Sequence, residues 1–524
     1  MRRSTIYLPL ILGAVLSAGI WIGNRFSGNM TGNSGYSGYD KINAVIGIIE
    51  DRYVDSVDRE KLVEETIAGL LQSLDPHSDY FTADEIREMN EPLQGNFEGI
   101  GIEYNLIHDT VTVMSVVPGG PSEKILLPGD RLVKADGVPI IGEVEEKFVR
   151  SKLRGPADTK VKVTFRRPGE EKLLEKEITR GRVPINSIDV AYMIDASTAY
   201  VKLTRFAEKS HADFVKALDS LKKIGMKKLV LDLRGNGGGY LQTAVAIADE
   251  FLPAGQKIVY TEGRKTKRED HNASSKGSYE NLPLALLIDE GSASASEIIA
   301  GAIQDNDRGT IFGRRSFGKG LVQEEKLLSD SSGFRITISR YYTPSGRSIQ
   351  KPYNKGNKAY YAEDNQRYSK GELLHADSIH FADSLKYKTI FKKRTVYGGG
   401  GIMPDIFVPL DTAGQTSLIT KLLDKNAFNI YALDYATSNR KVLHAQGTSS
   451  FRREFAVSKA MLDAFVKLAS AEGVVMNPVQ LTRSEKLIRM YIKAAIARVA
   501  WDNDGFYPVL NDDDIAVKRA VESF

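Results

Sequence analysis

Cysteine is absent from all 524 residues, which excludes disulfides and thiolate metal sites and leaves the redox compartment open. Histidine is scarce. The seven copies (His77, His108, His211, His271, His375, His380 and His444) are scattered, and no His-Glu-x-x-His or other close ligand pair occurs, so neither a metal nor another cofactor is called for. A large excess of one charge is also missing. The formal net charge is +4 and the 23 tyrosines are not interleaved with basic runs, so nothing points to nucleic acid. What remains is an ordinary globular composition, 42% hydrophobic and 26% charged, in a chain long enough for several domains.

One stretch departs from that average. Thr5 to Gly23 is nineteen uncharged, mainly apolar residues behind Arg2 and Arg3. At 1.5 Å per residue it reaches about 28 Å as a helix, close to the ~30 Å hydrocarbon thickness of a bilayer. Leu16-Ser17-Ala18 matches a cleavage site poorly, so residues 1–26 read as an uncleaved signal-anchor. The two arginines then stay in the cytoplasm and the rest of the chain lies across the inner membrane, in the cell envelope. The Gly/Ser/Asn-rich residues 27–38 read as a flexible tether.

The chemistry concentrates between Leu282 and Gln323. Leu282-Pro-Leu-Ala-Leu-Leu-Ile-Asp289 is a short apolar run that predicts a strand buried on both faces. Gly291-Ser-Ala-Ser-Ala-Ser296 supplies small residues for a tight turn, and Ile298, Ile299, Ala302 and Ile303 recur at helical spacing. Strand, turn and helix in that order lift a turn side chain to a helix N-terminus, where free N–H groups can face a developing negative charge. Downstream, Lys319 stands between Gly318 and Gly320. A serine hydroxyl needs a base to take its proton, and a neutral amine can serve. Free lysine titrates near 10.4, and burial can bring it to roughly 7–8 at a cost of about 4 kcal/mol. Capping alone would account for the three serines, and Ser316-Phe-Gly-Lys319 offers a competing internal pair, although Gly318 and Gly320 disfavour the helix that pair needs.

Together, Gly291-Ser-Ala-Ser-Ala-Ser-Glu297 and Phe317-Gly-Lys-Gly-Leu-Val-Gln323 resemble the two motifs of the carboxyl-terminal processing (tail-specific) proteases, serine proteases with a Ser/Lys dyad. The resemblance spans roughly residues 40–410. It implies Ser294 as nucleophile, Lys319 as general base and Gln323 as the group that orients the lysine. It also implies an oxyanion hole from the N–H of Ala295 and that of Gly238 or Gly239, in the turn Gly235-Asn-Gly-Gly-Gly239 after the strand Lys228–Arg234. As a phosphate cradle that turn lacks the final glycine of the dinucleotide pattern, because Tyr240 stands there.

The rest of the chain fits the resemblance. Residues 39–95 have helical periodicity up to a stop at Leu74-Asp-Pro-His-Ser78, read as structural. Residues 96–182 look like a PDZ domain, with Pro128-Gly-Asp-Arg131 and Leu153-Arg-Gly-Pro156 in order. Gly99, Ile100, Gly101 and Ile102 would then be the loop whose N–H groups hold a chain-terminal carboxylate. Residues 183–410 form the α/β protease core, similar to ClpP and crotonase, with a polar, tyrosine-rich insertion at 351–395. Residues 411–524 read as a helical appendage: Thr482-Arg-Ser-Glu485 predicts a capping box, and Leu487, Ile488, Tyr491, Ile492, Ala495, Ile496 and Val499 form an apolar stripe for intrachain packing or a homodimer. The expectation is a multidomain α+β endopeptidase acting on proteins or peptides with exposed C-termini. The alternative is a non-catalytic PDZ scaffold that binds envelope protein C-termini.

Overall fold

The computed structural model describes residues 13–19, 21 and 38–524, in two units, 1–71 and 72–524. Most of the expected signal-anchor and tether lies outside the described residues. Among those described, no helix is long and apolar enough to cross a membrane. The first unit carries the helix Gly38–Arg52 and most of Arg59–Gln72. On the first of these Ile46 is buried, whereas Ile42 and Val45 are exposed.

The second unit contains the protease and PDZ folds. Its centre is a six-stranded sheet in which Ile188–Met193 runs antiparallel to Thr198–Leu203. Four parallel strands follow in order: Lys228–Asp232, Leu284–Ile288, Thr310–Gly313 and Ile406–Phe407. Alternation along these strands assigns two faces. Ala199, Val201, Leu203, Leu229, Leu231, Leu286 and Ile288 pack with the helices Ser210–Lys223, Leu241–Asp249 and Ala295–Asp305. Tyr200, Val230, Ala285 and Leu287 face the other way, where the last helix, Ile515–Glu522, covers them with Ala516, Val517 and Ala520. Every residue of Leu284–Ile288 is buried, as its unbroken apolar run predicts.

A second, five-stranded sheet brings distant parts of the chain beside that core. Gly333–Tyr342 pairs with Leu321–Leu327 on one side and with Asp79–Phe81 and Lys257–Glu262 on the other. After the stop at Leu74–Ser78 comes the strand Asp79–Phe81, which the helical periodicity did not predict; Asp75 turns the chain into it by accepting from the N–H groups of His77 and Ser78 at 2.8 and 3.0 Å. Thr82 and Glu85 then make a capping box, and Ala83–Gln94 ends at Gly95 with φ 76°.

The PDZ fold is an antiparallel sheet in the order Ile102–Ile107, Thr110–Val116, Arg131–Ala135, Lys160–Arg166, Leu174–Thr179, with the helix Glu146–Leu153. Its Pro-Gly-Asp-Arg turn is fixed by the buried Asp130, which takes a forked pair of bonds from Arg167 at 2.8 and 2.7 Å. The chain enters through Asn96–Gly99 and leaves through Gly181–Pro184, and those two segments pair.

In the appendage, the helical segment Pro478–Asn511, broken into two helices at Trp501 and Asp502, starts one turn earlier than predicted. Asn477 caps it by accepting from the N–H groups of Val479 and Gln480, with Pro478 in the first position. Thr482 therefore lies inside the helix, with its hydroxyl donating to the Pro478 carbonyl at 3.0 Å. The predicted stripe is used within the chain: Ile488, Ile492, Ala495 and Ile496 are buried with Phe428, Tyr431 and Phe465. Leu487, Tyr491 and Val499 are partly buried against the same cluster.

Candidate active site

The buried strand Leu284–Ile288 delivers the chain into the turn 289–294, and the helix Ala295–Asp305 carries it away. Three serines compete for one role, and burial separates them. Ser292 is fully buried, its hydroxyl donating to the Leu233 carbonyl at 2.8 Å, and Ser296 is fully buried, donating to the Asn236 carbonyl at 2.8 Å. Ser294, between them, is half-buried and keeps a solvent-facing side. Its backbone has φ 55° and ψ −113°, a sparsely populated conformation for a residue with a Cβ, costing about 1–3 kcal/mol. A sharp strand-to-helix turn with a strained serine is the geometry that exposes a nucleophile above a sheet.

One side chain holds that turn to the lysine loop. Glu297, wholly buried, accepts the N–H groups of Ser294 and Lys319 on Oε2 at 2.8 and 2.9 Å. Its Oε1 accepts the Ser316 hydroxyl at 2.6 Å and the Gly318 N–H at 2.7 Å. The main chains of Ser294 and Lys319 therefore stand on either side of a single oxygen. The buried Tyr341 hydroxyl adds a second tie, lying between the carbonyls of Ser294, at 3.0 Å, and Lys319. Gly318 adopts φ 93°, and a Cβ there would lie 3.0 Å from the Gly401 nitrogen, so the loop needs glycine for both reasons.

Burial pushes the Lys319 amine below the ordinary lysine value, and the nearby Arg335 pushes the same way, while Asp75 and Glu297 oppose them. The amine donates to Gln323 Oε1 at 2.9 Å, and the Gln323 amide nitrogen donates to the His77 carbonyl. No hydrogen bond joins Ser294 Oγ to Lys319 Nζ in this structure. Ser316 is engaged elsewhere: it is fully buried, donates to Glu297 and accepts the Ile402 N–H at 2.6 Å.

The glycine turn faces the serine. Gly238, with φ 106°, lies so close that a Cβ would be 2.8 Å from Ser294 Cβ and 3.1 Å from the Ala295 nitrogen. A Cβ on Gly239 would instead strike the Phe206 carbonyl at 2.3 Å. The Gly238 N–H donates to Asn236 Oδ1 at 2.9 Å, whereas the Ala295 N–H takes no acceptor among the described residues.

In the PDZ fold, Ile100 packs into the core and its carbonyl accepts the Ser122 N–H and hydroxyl, at 3.1 and 2.6 Å. The Gly101 carbonyl accepts from Val117, and the N–H groups of Ile100 and Gly101 take no acceptor among the described residues. Gly99 ends the entry strand and Ile102 opens the edge strand Ile102–Ile107. Such an edge can pair with a peptide, and such a loop with its terminal carboxylate.

Sequence reasoning missed three contributors. Glu297 carried a signal, since Ser294-x-x-Glu297 has capping-box spacing. Tyr341 and the His77 carbonyl carried none, because only the pairing of Gly333–Tyr342 with its neighbours brings them to the site.

Comparison with known proteins gives the family. Residues 197–356 match the model of peptidase family S41, 99–178 a PDZ domain, 24–85 the activating protease CtpB N-terminal domain and 418–502 a family of unknown function. The chain is 38% identical over 360 residues to a carboxy-terminal-processing protease of Bartonella bacilliformis, covering 67% of this chain and 81% of that one. It is 30% identical over 385 residues to the carboxy-terminal processing protease CtpA of Bacillus subtilis, covering 72% and 81%. Among solved structures, the photosystem II D1 C-terminal processing protease is 29% identical with a TM-score of 0.35, covering 59% of this chain and 89% of that one.

Proposed function

Because the chain belongs to the carboxy-terminal processing proteases, with an S41 core and a PDZ domain, we propose that it is a serine endopeptidase of the cell envelope that cuts tailed proteins with a Ser294/Lys319 dyad. The observation that carries this reading is that Ser294 alone among the three turn serines is solvent-reachable, on a strained strand-to-helix turn tied through Glu297 to the lysine loop.

In the proposed cycle, neutral Lys319 turns from Gln323 Oε1 toward Ser294 and takes the hydroxyl proton as Oγ bonds to the scissile carbonyl carbon. The carbonyl oxygen gains the electron pair and is met by the Ala295 N–H, with the Gly238–Gly239 turn on the other side; the Gly238 N–H is held by Asn236, so the second donor is Gly239 or a Gly238 N–H released from that bond. Each donor of this kind is worth about 3–4 kcal/mol in the transition state. The intermediate collapses, the C–N bond breaks, and the Lys319 ammonium gives its proton to the leaving amine. Water, deprotonated by the same amine, then hydrolyses the acyl-enzyme. Gln323 fixes the amine between these steps.

Substrates of this reading are unstructured C-terminal tails, their terminal carboxylate on the Gly99–Ile102 loop and their backbone along the strand Ile102–Ile107. The run Thr5–Gly23 would tether the enzyme to the inner membrane with its catalytic unit on the non-cytoplasmic side.

The missing Ser294–Lys319 hydrogen bond favours one rival, a PDZ scaffold that binds tails without cutting them. Turnover separates the two. Ser294→Ala is expected to abolish cleavage of a tailed substrate. Undiminished cleavage by that variant ends the proposal, and loss with Ser316→Ala at unchanged stability would move the chemistry to the internal pair.

A further inference from the structure

The insertion at 351–395 is not a surface decoration. Its helix Asn357–Ser369 lies against the lysine loop, with Arg367 donating to the Arg315 and Ser316 carbonyls at 2.6 and 3.1 Å. The same helix reaches the Leu-Asp-Pro-His segment, where the Tyr361 hydroxyl donates to the Pro76 carbonyl. Between these grips Tyr360 is buried edge-on to the His77 and Phe317 rings, at 5.2 and 6.1 Å between centroids.

Its hydroxyl sits in a closed set of polar contacts. Tyr360 Oη is 2.8 Å from His77 Nε2 and accepts the Gln350 amide at 3.5 Å. Gln350 Oε1 accepts the Gly320 N–H, next to the lysine, at 2.8 Å. Tyr360 Oη and His77 Nε2 share one proton between them, with the donor set by the imidazole tautomer. The His77 carbonyl accepts from the Gln323 amide, whose oxygen accepts from Lys319 Nζ.

We propose that Tyr360 is a positioning residue for the base Lys319: it fixes His77, whose carbonyl fixes the Gln323 amide, which in turn sets where the amine rests. This rests on the reading of Lys319 as general base. The charge pattern agrees with it. Burial, Lys319 and Lys351 lower the His77 ring to about 4 against the opposing pull of Asp75, so at neutral pH it adds no positive charge beside the amine. Lys351 Nζ also lies 4.4 Å over the Tyr360 ring, and Asp364 and Glu297 face the hydroxyl from the insertion helix and the serine helix. Around Lys319 itself stand Arg335, Asp75 and Glu297. The insertion thereby becomes part of the base's support, which its polar sequence does not suggest.

The test uses the full-length protein and a tailed protein substrate, with kcat and KM followed across pH. Tyr360→Phe keeps the ring contacts and removes only the hydroxyl. It is expected to lower kcat about tenfold with KM within about twofold. It is also expected to move the acid limb of kcat/KM up by about one pH unit, as a less fixed amine gains water. Tyr368→Phe, on an exposed position of the same helix, is expected to change neither. An unmoved limb in Tyr360→Phe overturns the proposal, whether kcat is unchanged or falls in step with the melting temperature. Wild-type turnover by Lys319→Ala would instead overturn the base assignment, leaving the two failures distinguishable.

Discussion

Replacing Glu297 by glutamine tests how the two motifs are held together. The wild-type carboxylate receives four donors, two on each oxygen. An amide keeps one acceptor oxygen and presents a donor in place of the other. If the NH2 takes the Oε2 side, the Ser294 and Lys319 N–H groups both lose their acceptor. On the Oε1 side the Gly318 N–H is orphaned, and the Ser316 hydroxyl, which already accepts the Ile402 N–H, loses the acceptor for its own proton, so either placement leaves two buried donors unpaired. One buried orphan donor costs about 1–3 kcal/mol. Glu297→Ala orphans all four and is expected to cost upward of about 4 kcal/mol. A melting shift of about 2–4 °C per kcal/mol makes both effects measurable. Burial raises the Glu297 carboxyl from 4.5 to about 7 against its hydrogen bonds. Between those values the native state holds a proton that the unfolded chain has released, so stability falls as pH rises through that window. Glu297→Gln removes that slope. It also removes the negative charge that supports the Lys319 ammonium, so the acid limb of kcat/KM moves to lower pH even as kcat falls. A variant with wild-type melting temperature, wild-type turnover and an unmoved limb would refute the carboxylate's joining role.

Gly238→Ala places a Cβ 2.8 Å from that of Ser294 and is expected to cost at least about a hundredfold in kcat, whereas Gly237→Ala, with nothing within 4 Å, leaves activity unchanged; steady-state kinetics on both variants checks this. Ser294→Gly relieves a left-handed backbone, so it is expected to raise the melting temperature while turnover disappears, and a lowered melting temperature would contradict the strain argument. Since only the neutral amine can act as base and burial lowers its pKa, kcat/KM is expected to rise with pH and level off below the free-lysine value near 10.4. A limb at or above that value would show an amine in ordinary solvent.

Much of this site was legible before any coordinates because its chemistry is local in sequence. The buried run Leu284–Ile288, the small-residue turn and the apolar spacing after it produce the expected strand, turn and helix. What could not be read from neighbours is what arrives from far along the chain. His77 stands 246 residues from Gln323 and Tyr360 stands 283 from His77, so neither contact leaves a periodic trace. The choice among Ser292, Ser294 and Ser296 was decided in sequence by resemblance alone. The fold supplies the physical reason, since two of the three point into packed main chain. At Thr482 the capping-box spacing misled, because Asn477-Pro478 upstream caps more strongly and absorbs the next turn into the helix.

The most direct measurement is the site and pH dependence of acylation by a serine-reactive phosphonate, read by peptide mapping. The account predicts a single adduct on Ser294, formed faster as pH rises through the titration of Lys319 and absent in Lys319→Ala. An adduct on Ser292, Ser296 or Ser316 in folded protein, or labelling of Ser294 that is indifferent to Lys319, would contradict it.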